Sequence, residues 1–215
     1  MAHIPYLGLV DSVLEFLRSG GWLMLPILAC SIISLAIIIE RSFALRRSVV
    51  VPSGLSADVD RAISEGQLDV DRIASLRRGS ALGQVLAAGL ATAQSNPSRV
   101  QEAVEEAGRH VVHGLERYLN ALGTIAATTP LLGLLGTVIG MIKVFAAITT
   151  SGVGDPQVLA GGIYEALITT AAGLSIGIPS LMFHRYFRGR INELTVEIEQ
   201  QALRLLDLLR QRKHQ

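Results

Sequence analysis

The architecture of this chain follows from one stretch, which reads Gly162-Ile163-Tyr164-Glu165-Ala166-Leu167-Ile168-Thr169-Thr170-Ala171-Ala172-Gly173. Its single charged residue, Glu165, lies in an apolar run at 158–183. A helix of about 20 apolar residues crosses a bilayer, so this run predicts a transmembrane helix. A carboxylate inside a bilayer costs roughly 2.5–3.5 kcal/mol on insertion scales and usually faces a bundle interior or a wet path. The alternative is that Glu165 lies near the helix start and reaches the headgroups.

Two further apolar stretches, at 21–40 and 119–148, are also long enough to cross a bilayer. Half of the residues are hydrophobic and 17% are charged, which is typical of a membrane protein with a substantial aqueous part. The predicted fold class is therefore all-α: an integral membrane protein with three transmembrane helices. Long helices are expected to extend the second and third of them into the cytoplasm.

Basic residues set the predicted orientation. They follow the first and third spans (Arg41, Arg46, Arg47, Arg185, Arg188 and Arg190), whereas the loop at 149–157 has none. The positive-inside rule then places the N-terminus outside and the C-terminus in the cytoplasm. The predicted order is a periplasmic segment (1–20), transmembrane helix 1 (21–40), a cytoplasmic helical domain (41–118), transmembrane helix 2 (119–148), a periplasmic loop (149–157), transmembrane helix 3 (158–183) and a cytoplasmic C-terminal helix (184–215).

The cytoplasmic region shows helical periodicity. Apolar residues recur every three or four positions at 100–122 and again at 191–209. No break is evident before the second span, so an uninterrupted helix is predicted from Ser98 to Ile148, about 75 Å long. Shorter helices are predicted at 57–65, 69–76 and 81–92. We expect partner chains, most economically other copies of this one, to bury the two apolar stripes.

Small residues and threonines form stripes on the second and third spans. On a helical wheel Thr129, Gly133, Gly136 and Gly140 share one face with Thr137 at its edge. Thr170, Gly173 and Gly177 form a second stripe beside Glu165 and Thr169. The glycines predict close helix packing. A membrane threonine commonly bonds its own helix, but hydroxyls on both spans near Glu165 favour a narrow polar lining, formed by Thr129, Thr137, Thr169 and Thr170.

The remaining polar residues narrow the function. Lys143, near the outer end of the second span, is expected to extend outward to the headgroups or to pair with Asp155. The single cysteine, Cys30, excludes an intrachain disulfide, and no ligand spacing for a metal or loop for a cofactor is evident. The basic residues form no long cluster, so nucleic acid is not an expected partner.

Two motifs resemble a known family. Gly133-Leu134-Leu135-Gly136-Thr137-Val138-Ile139-Gly140, followed by the stretch at 162–174, is similar to the MotA/TolQ/ExbB proton channel family and most similar to its ExbB and TolQ branch. The Gly21-Trp22 start and the Glu40-Arg41 end of the first span also fit, as does the layout of three spans around a large cytoplasmic segment. The resemblance covers nearly the whole chain.

The resemblance implies a channel-forming, stator-like subunit of a proton-driven motor in the bacterial inner membrane, and not an enzyme. Such subunits form a homopentamer whose pore holds two helices of a single-span ExbD- or TolR-like partner. A TonB- or TolA-like protein then carries the work across the periplasm, for outer-membrane transport or envelope maintenance. The motifs make Glu165, Thr137 and Thr170 the polar residues of the pore, and the branch implies protons rather than sodium.

Three alternatives remain from the sequence. The main one is a passive membrane scaffold that docks other proteins, with Glu165 paired inside the protein and no ion conduction. A membrane enzyme lacks a supporting motif in this sequence. A flagellar stator fits the breadth of the family, but the cytoplasmic segment shows no evident charged face for transmitting torque.

Overall fold

A computed structural model describes residues 20–65, 69–151 and 156–213 of the chain. These residues form eight helices and no strand, so the all-α prediction is confirmed. The helices are α1 (Met24–Ala44), α2 (Arg47–Val50), α3 (Leu55–Ser64), α4 (Val70–Gly79), α5 (Ala81–Ala91), α6 (Pro97–Leu115), α7 (Leu119–Ser151) and α8 (Pro156–Lys213).

Three stretches of the described chain are long and apolar enough to cross a membrane. They are Met24–Ala44, Pro97–Thr149 and Leu159–Gln211, which agrees with the three predicted spans. The extension of the second and third spans into the cytoplasm stays a prediction. The described residues divide into two compact units, one with residues 20–38, 120–151 and 156–184 and the other with residues 39–65, 69–119 and 185–213. We call the first the membrane unit and the second the helical unit.

The core of the membrane unit brings its three helices together. Met24 and Ile27 of α1 pack with Ala172 of α8, and the partly buried Leu132 of α7 and Ile176 of α8 pack against them. The first span therefore packs against both helices of the α7–α8 pair. This packing brings the start of α1 next to Ala172, at the end of the stretch at 162–173 that contains Glu165.

The apolar stripes of the helical unit are buried within the chain itself. They include Val100, Val104, Val111 and Leu115 of α6 and Ile191, Leu194, Ile198 and Leu205 of α8. Gly89 of α5 lies where these helices meet, since a methyl group on it would contact Leu205 at 2.9 Å and Val104 at 3.0 Å. The expectation that partner chains must bury these stripes is wrong, because α5, α6 and α8 cover one another.

The predicted uninterrupted helix from Ser98 to Ile148 is also wrong. It is broken after Leu115, and Tyr118 adopts a left-handed backbone conformation with φ of 65°. The buried guanidinium of Arg41 donates to the Leu115 carbonyl oxygen at 3.0 Å and lies over the Tyr118 ring. The break is thus capped from α1, a long-range contact that the local periodicity of residues 100–122 does not reveal. By contrast, the three short helices lie within a few residues of their predicted positions.

Candidate functional site

The site is built on an unusually close approach of α7 and α8. A methyl group on Gly173 would lie 2.7 Å from the Thr129 carbonyl oxygen, and one on Gly140 would lie 2.7 Å from the Ala166 methyl. Methyl groups on Gly133, Gly136 and Gly177 would likewise crowd atoms of the facing helix. A methyl group would be crowded at each of these positions, so the five glycines let the two backbones come together.

The four threonines divide into two kinds. Thr129 and Thr169 are 0% and 1% exposed, and their hydroxyls donate to carbonyl oxygens of their own helices. Packing within one chain therefore encloses them, and they add nothing to the outer surface of the membrane unit. Thr137 and Thr170 are partly exposed. The part of the expected lining that reaches the surface is thus Thr137 and Thr170.

Thr170 has a further contact that the stripe pattern did not indicate. Its hydroxyl donates to the carbonyl oxygen of Gly133 on α7 at 2.8 Å, whereas Thr137 donates within its own helix to Leu134 at 2.6 Å. A hydrogen bond between helices in a membrane contributes about 0.6 kcal/mol on average. Thr170 therefore ties α8 to α7 one turn from Glu165.

Glu165 is paired with Lys143. The Lys143 ammonium nitrogen donates to both carboxylate oxygens, at 2.7 Å to Oε1 and 2.9 Å to Oε2. The Glu165 side chain is 25% exposed and that of Lys143 is 52% exposed. Lys143 thus pairs with Glu165 rather than extending away to the headgroups, and Asp155, the other expected partner, lies outside the described residues. Both members of the pair lie on the membrane unit.

The residues just before α1 lie against a third side of this pair. Gly21 has φ of 67°, and a methyl group on it would overlap the Glu165 carboxylate. Its neighbour Gly20 approaches Thr169, whose Cγ2 would lie 3.3 Å from an added methyl. A side chain at residue 21 would be strained in this backbone conformation and would also displace the carboxylate. Gly21 is thus a site residue that the sequence marked only as the start of a span.

Lys143 and Glu165 could have been matched from the sequence through the glycine stripes. The spans are joined by a short loop and must run antiparallel, and Gly140 faces Ala166 across the interface. Lys143 lies one turn beyond Gly140 on α7, where a long side chain can reach Glu165. Because Lys143 and Glu165 were considered separately, their facing positions on α7 and α8 were not recognised.

Within the described residues, no three or more His, Cys, Asp and Glu side chains lie close enough to hold a metal ion together. The chemistry available at the site is instead that of one carboxylate, one ammonium group and the hydroxyls of Thr137 and Thr170. Such groups can exchange protons or counter-ions, and they sit among apolar helices where each charge needs a partner.

Comparison with known proteins gives the family. The model of the MotA/TolQ/ExbB proton channel family matches residues 78–200. A Synechocystis protein named biopolymer transport protein ExbB-like 1 is 36% identical over 174 residues, 80% of this chain and 68% of its own length. An ExbB homologue of Methanothermobacter thermautotrophicus is 32% identical over 197 residues, 91% of this chain and 70% of its own.

A relative from Vibrio cholerae, named biopolymer transport protein exbB1, is 31% identical over 181 residues, covering 80% of this chain and 77% of its own length. A Tol-Pal system protein TolQ of Haemophilus influenzae matches a shorter part, with 37% identity over 83 residues. Members of this family are channel and transport subunits rather than enzymes. With three helices of membrane-spanning length and these relatives, the chain is a multi-pass membrane protein that belongs to the MotA/TolQ/ExbB proton channel family, on its ExbB/TolQ branch.

Proposed function

We propose that this chain is the channel-forming, stator-like subunit of a proton-driven motor in the bacterial inner membrane. The observation that carries the proposal is the Glu165 carboxylate, held among three apolar helices in a chain of a proton channel family. In this proposal Glu165 senses or helps relay protons, and Thr137 and Thr170 line the path. The work energises outer-membrane transport or envelope maintenance.

The proposed assembly is a homopentamer with a single-span ExbD- or TolR-like partner in its pore and a TonB- or TolA-like protein that receives the work. The exposed apolar side chains of α7 support a role for this helix in contacts with lipid or other subunits, since Leu131, Val138, Ile142 and Phe145 are about half exposed or more. Native mass spectrometry of the purified protein, alone and co-expressed with such a partner, tests the stoichiometry. A pentamer that gains two partner chains is the expected result, and a monomer or dimer that ignores the partner contradicts it.

The proposed topology places residues 1–20 and 149–157 in the periplasm and the regions 41–118 and 184–215 in the cytoplasm. A fluorescent protein fused to the C-terminus tests this arrangement, because its fluorophore matures in the cytoplasm and not after export through the Sec pathway. Bright cells are expected. Dark cells containing full-length fusion would reverse the orientation.

The role of Glu165 is tested by Glu165→Gln, which removes the charge and keeps the shape. We expect loss of proton-driven work in cells that rely on this chain, whereas the number of subunits in the oligomer should not change. The matched control is Glu193→Gln, which changes an exposed carboxylate on the same helix and should leave the work unchanged. Full work in the Glu165→Gln variant would refute the role.

One observation favours the second candidate, a passive scaffold. The Lys143–Glu165 pair is the internal pairing that a purely structural Glu165 requires. For a scaffold, Glu165→Ala would reduce assembly, and any loss of work would follow the loss of assembled protein. For a motor subunit, the work falls while assembly remains, so measuring both in the same cells separates the two functions.

A further inference from the structure

The two charges in the described part of the membrane unit balance within a single chain. Among its described residues, 20–38, 120–151 and 156–184, Lys143 and Glu165 are the only Lys, Arg, Asp or Glu side chains. They lie on different helices, 22 residues apart in sequence, and meet at 2.7 Å. We call the pair closed when the Lys143 ammonium group contacts the Glu165 carboxylate. While the pair is closed, neither charge needs a counter-ion from another molecule.

We propose that Lys143 is the resident counter-ion of Glu165 and occupies the place that a mobile cation would otherwise take. This proposal rests on the proposed function, in which Glu165 belongs to an ion path. Lys143 acts on the path through Glu165 and is thus a positioning residue. While the pair is closed, Glu165 is not available to a proton or a sodium ion.

The geometry supports occupancy rather than mere proximity. The ammonium group contacts both carboxylate oxygens, at 2.7 and 2.9 Å, so it sits in the fork where a bound cation would lie. On the remaining sides Gly21, which precedes α1 and has no side chain, approaches the carboxylate, and the Thr169 hydroxyl donates to the backbone of its own helix. No other charged side chain of the described membrane unit reaches the carboxylate. The neighbouring Tyr164 is mostly exposed.

The same geometry allows the pair to open. Lys143 is more exposed than Glu165, with 52% of its side chain accessible against 25%. A lysine ammonium is a point charge on a flexible four-carbon stem, so it can leave the carboxylate without any movement of α7. Two unit charges at about 4 Å interact strongly enough, at an effective dielectric constant near 20, to change binding of a competing cation by on the order of a thousandfold. Partial exposure reduces this, and we expect a change of about tenfold or more.

Labelling with dicyclohexylcarbodiimide tests the proposal on the full chain without any partner. This apolar reagent adds to protonated carboxylic acids in membranes, and mass spectrometry locates the adduct. We expect Glu165 to react slowly at neutral pH in the wild type and in Lys143→Arg. In Lys143→Gln it should react about tenfold faster or more. Equal rates in the wild type and Lys143→Gln would overturn the proposal.

A chemical rescue guards against misfolding of Lys143→Gln. The chain has one cysteine, Cys30, so Cys30→Ser combined with Lys143→Cys gives a single thiol at position 143. Aminoethyl methanethiosulfonate attaches an ammonium group there after the protein has assembled. Labelling of Glu165 should be fast before this step and slow after it. Labelling that stays fast with the ammonium group attached would contradict the counter-ion role.

Sodium tests whether the vacated place accepts a metal cation. In Lys143→Gln, sodium chloride should slow labelling of Glu165 relative to choline chloride at equal ionic strength, and the wild type should show no such difference. Absence of the sodium effect in Lys143→Gln would refute occupancy of a cation place. None of these measurements depends on proton-driven work in cells. If the Glu165→Gln variant supported full proton-driven work, the proposed function would be refuted, whereas the counter-ion role of Lys143 would stand.

Discussion

Gly173→Ala should separate α7 from α8. A methyl group at this position would lie 2.7 Å from the carbonyl oxygen of Thr129, whereas ordinary van der Waals contact begins at 3.4 Å. The obstacle is backbone on a facing helix, so it cannot rotate aside as a side chain would. The two helices must therefore move apart locally by about 0.7 Å, the difference between these distances. A gap of this size forfeits about a quarter to a half of the dispersion energy at each contact.

The same movement affects the hydrogen bond from Thr170 to Gly133. Its length of 2.8 Å would become about 3.5 Å, at which a side-chain hydrogen bond is largely lost. Overpacking of this kind typically costs about 1–3 kcal/mol. Because the separation begins one helix turn from Thr169 and two from Glu165, we also expect the closed Lys143–Glu165 pair to be less populated.

The measurement is the free energy of unfolding in mixed micelles, with Gly161→Ala as the matched control. Gly161 lies on the same helix, and a methyl group there would meet nothing within 4 Å. Both variants gain the same helix propensity, so their difference isolates the contact with α7. Gly173→Ala should be less stable than Gly161→Ala by about 1 kcal/mol or more. Equal stability of the two variants would refute the inference that these glycines set the helix spacing.

Two further predictions concern the helical unit. Arg41→Ala should cost about 1.5–3 kcal/mol, because it leaves the buried Leu115 carbonyl without its charged donor, and hydrogen exchange at 112–118 should rise with it. An exposed control, Arg61→Ala, should change stability little, and equal effects of the two would contradict the capping role. The Arg47 guanidinium, through its hydrogen bonds to Glu197, lowers the pKa of that carboxyl below its ordinary value of 4.5. A carboxyl whose folded-state pKa is lowered stabilises the protein above the unfolded value and loses this effect in acid. The small Tm difference between the wild type and Glu197→Gln should therefore shrink once pH falls below about 4.5 and vanish below the lowered folded-state pKa. A difference that persists there would exclude the pair as its source.

The features that the sequence predicted well are those with a local signal. Three apolar runs of sufficient length and the punctuation between the short helices are properties of neighbouring residues, and both appear in the structure. The glycine stripes have a local period too, and they lie where α7 meets α8. The partial exposure of Thr137 and Thr170 also agrees with their positions on the helical wheel.

The errors arose where distant segments meet. The break after Leu115 depends on Arg41, which is 74 residues away. The stripes of the helical unit looked unpartnered because each was considered by itself, although α5, α6 and α8 cover one another. Thr129 and Thr169 share a helix face with the glycines, and the close approach that the glycines permit is what encloses these two hydroxyls. The same helix face could form either a polar lining or a tight contact between α7 and α8. In the structure its centre, at Thr129 and Thr169, is packed.

The Lys143–Glu165 pair changes what the deep carboxylate implies. A lone charge in a membrane helix indicates an ion path because its cost demands a compensating role. Here an ammonium group of the same chain offsets that cost, so the carboxylate alone no longer requires a path. The case for ion conduction therefore rests on the carboxylate together with membership of the family and with the ability of the half-exposed Lys143 to leave. If the pair never opened, Glu165 would be a structural residue and the ion would have to pass on a carboxylate supplied by another chain. Carbodiimide labelling of the wild type in the presence and absence of a membrane potential distinguishes these cases. Only a pair that opens when the potential is applied exposes Glu165 to the reagent.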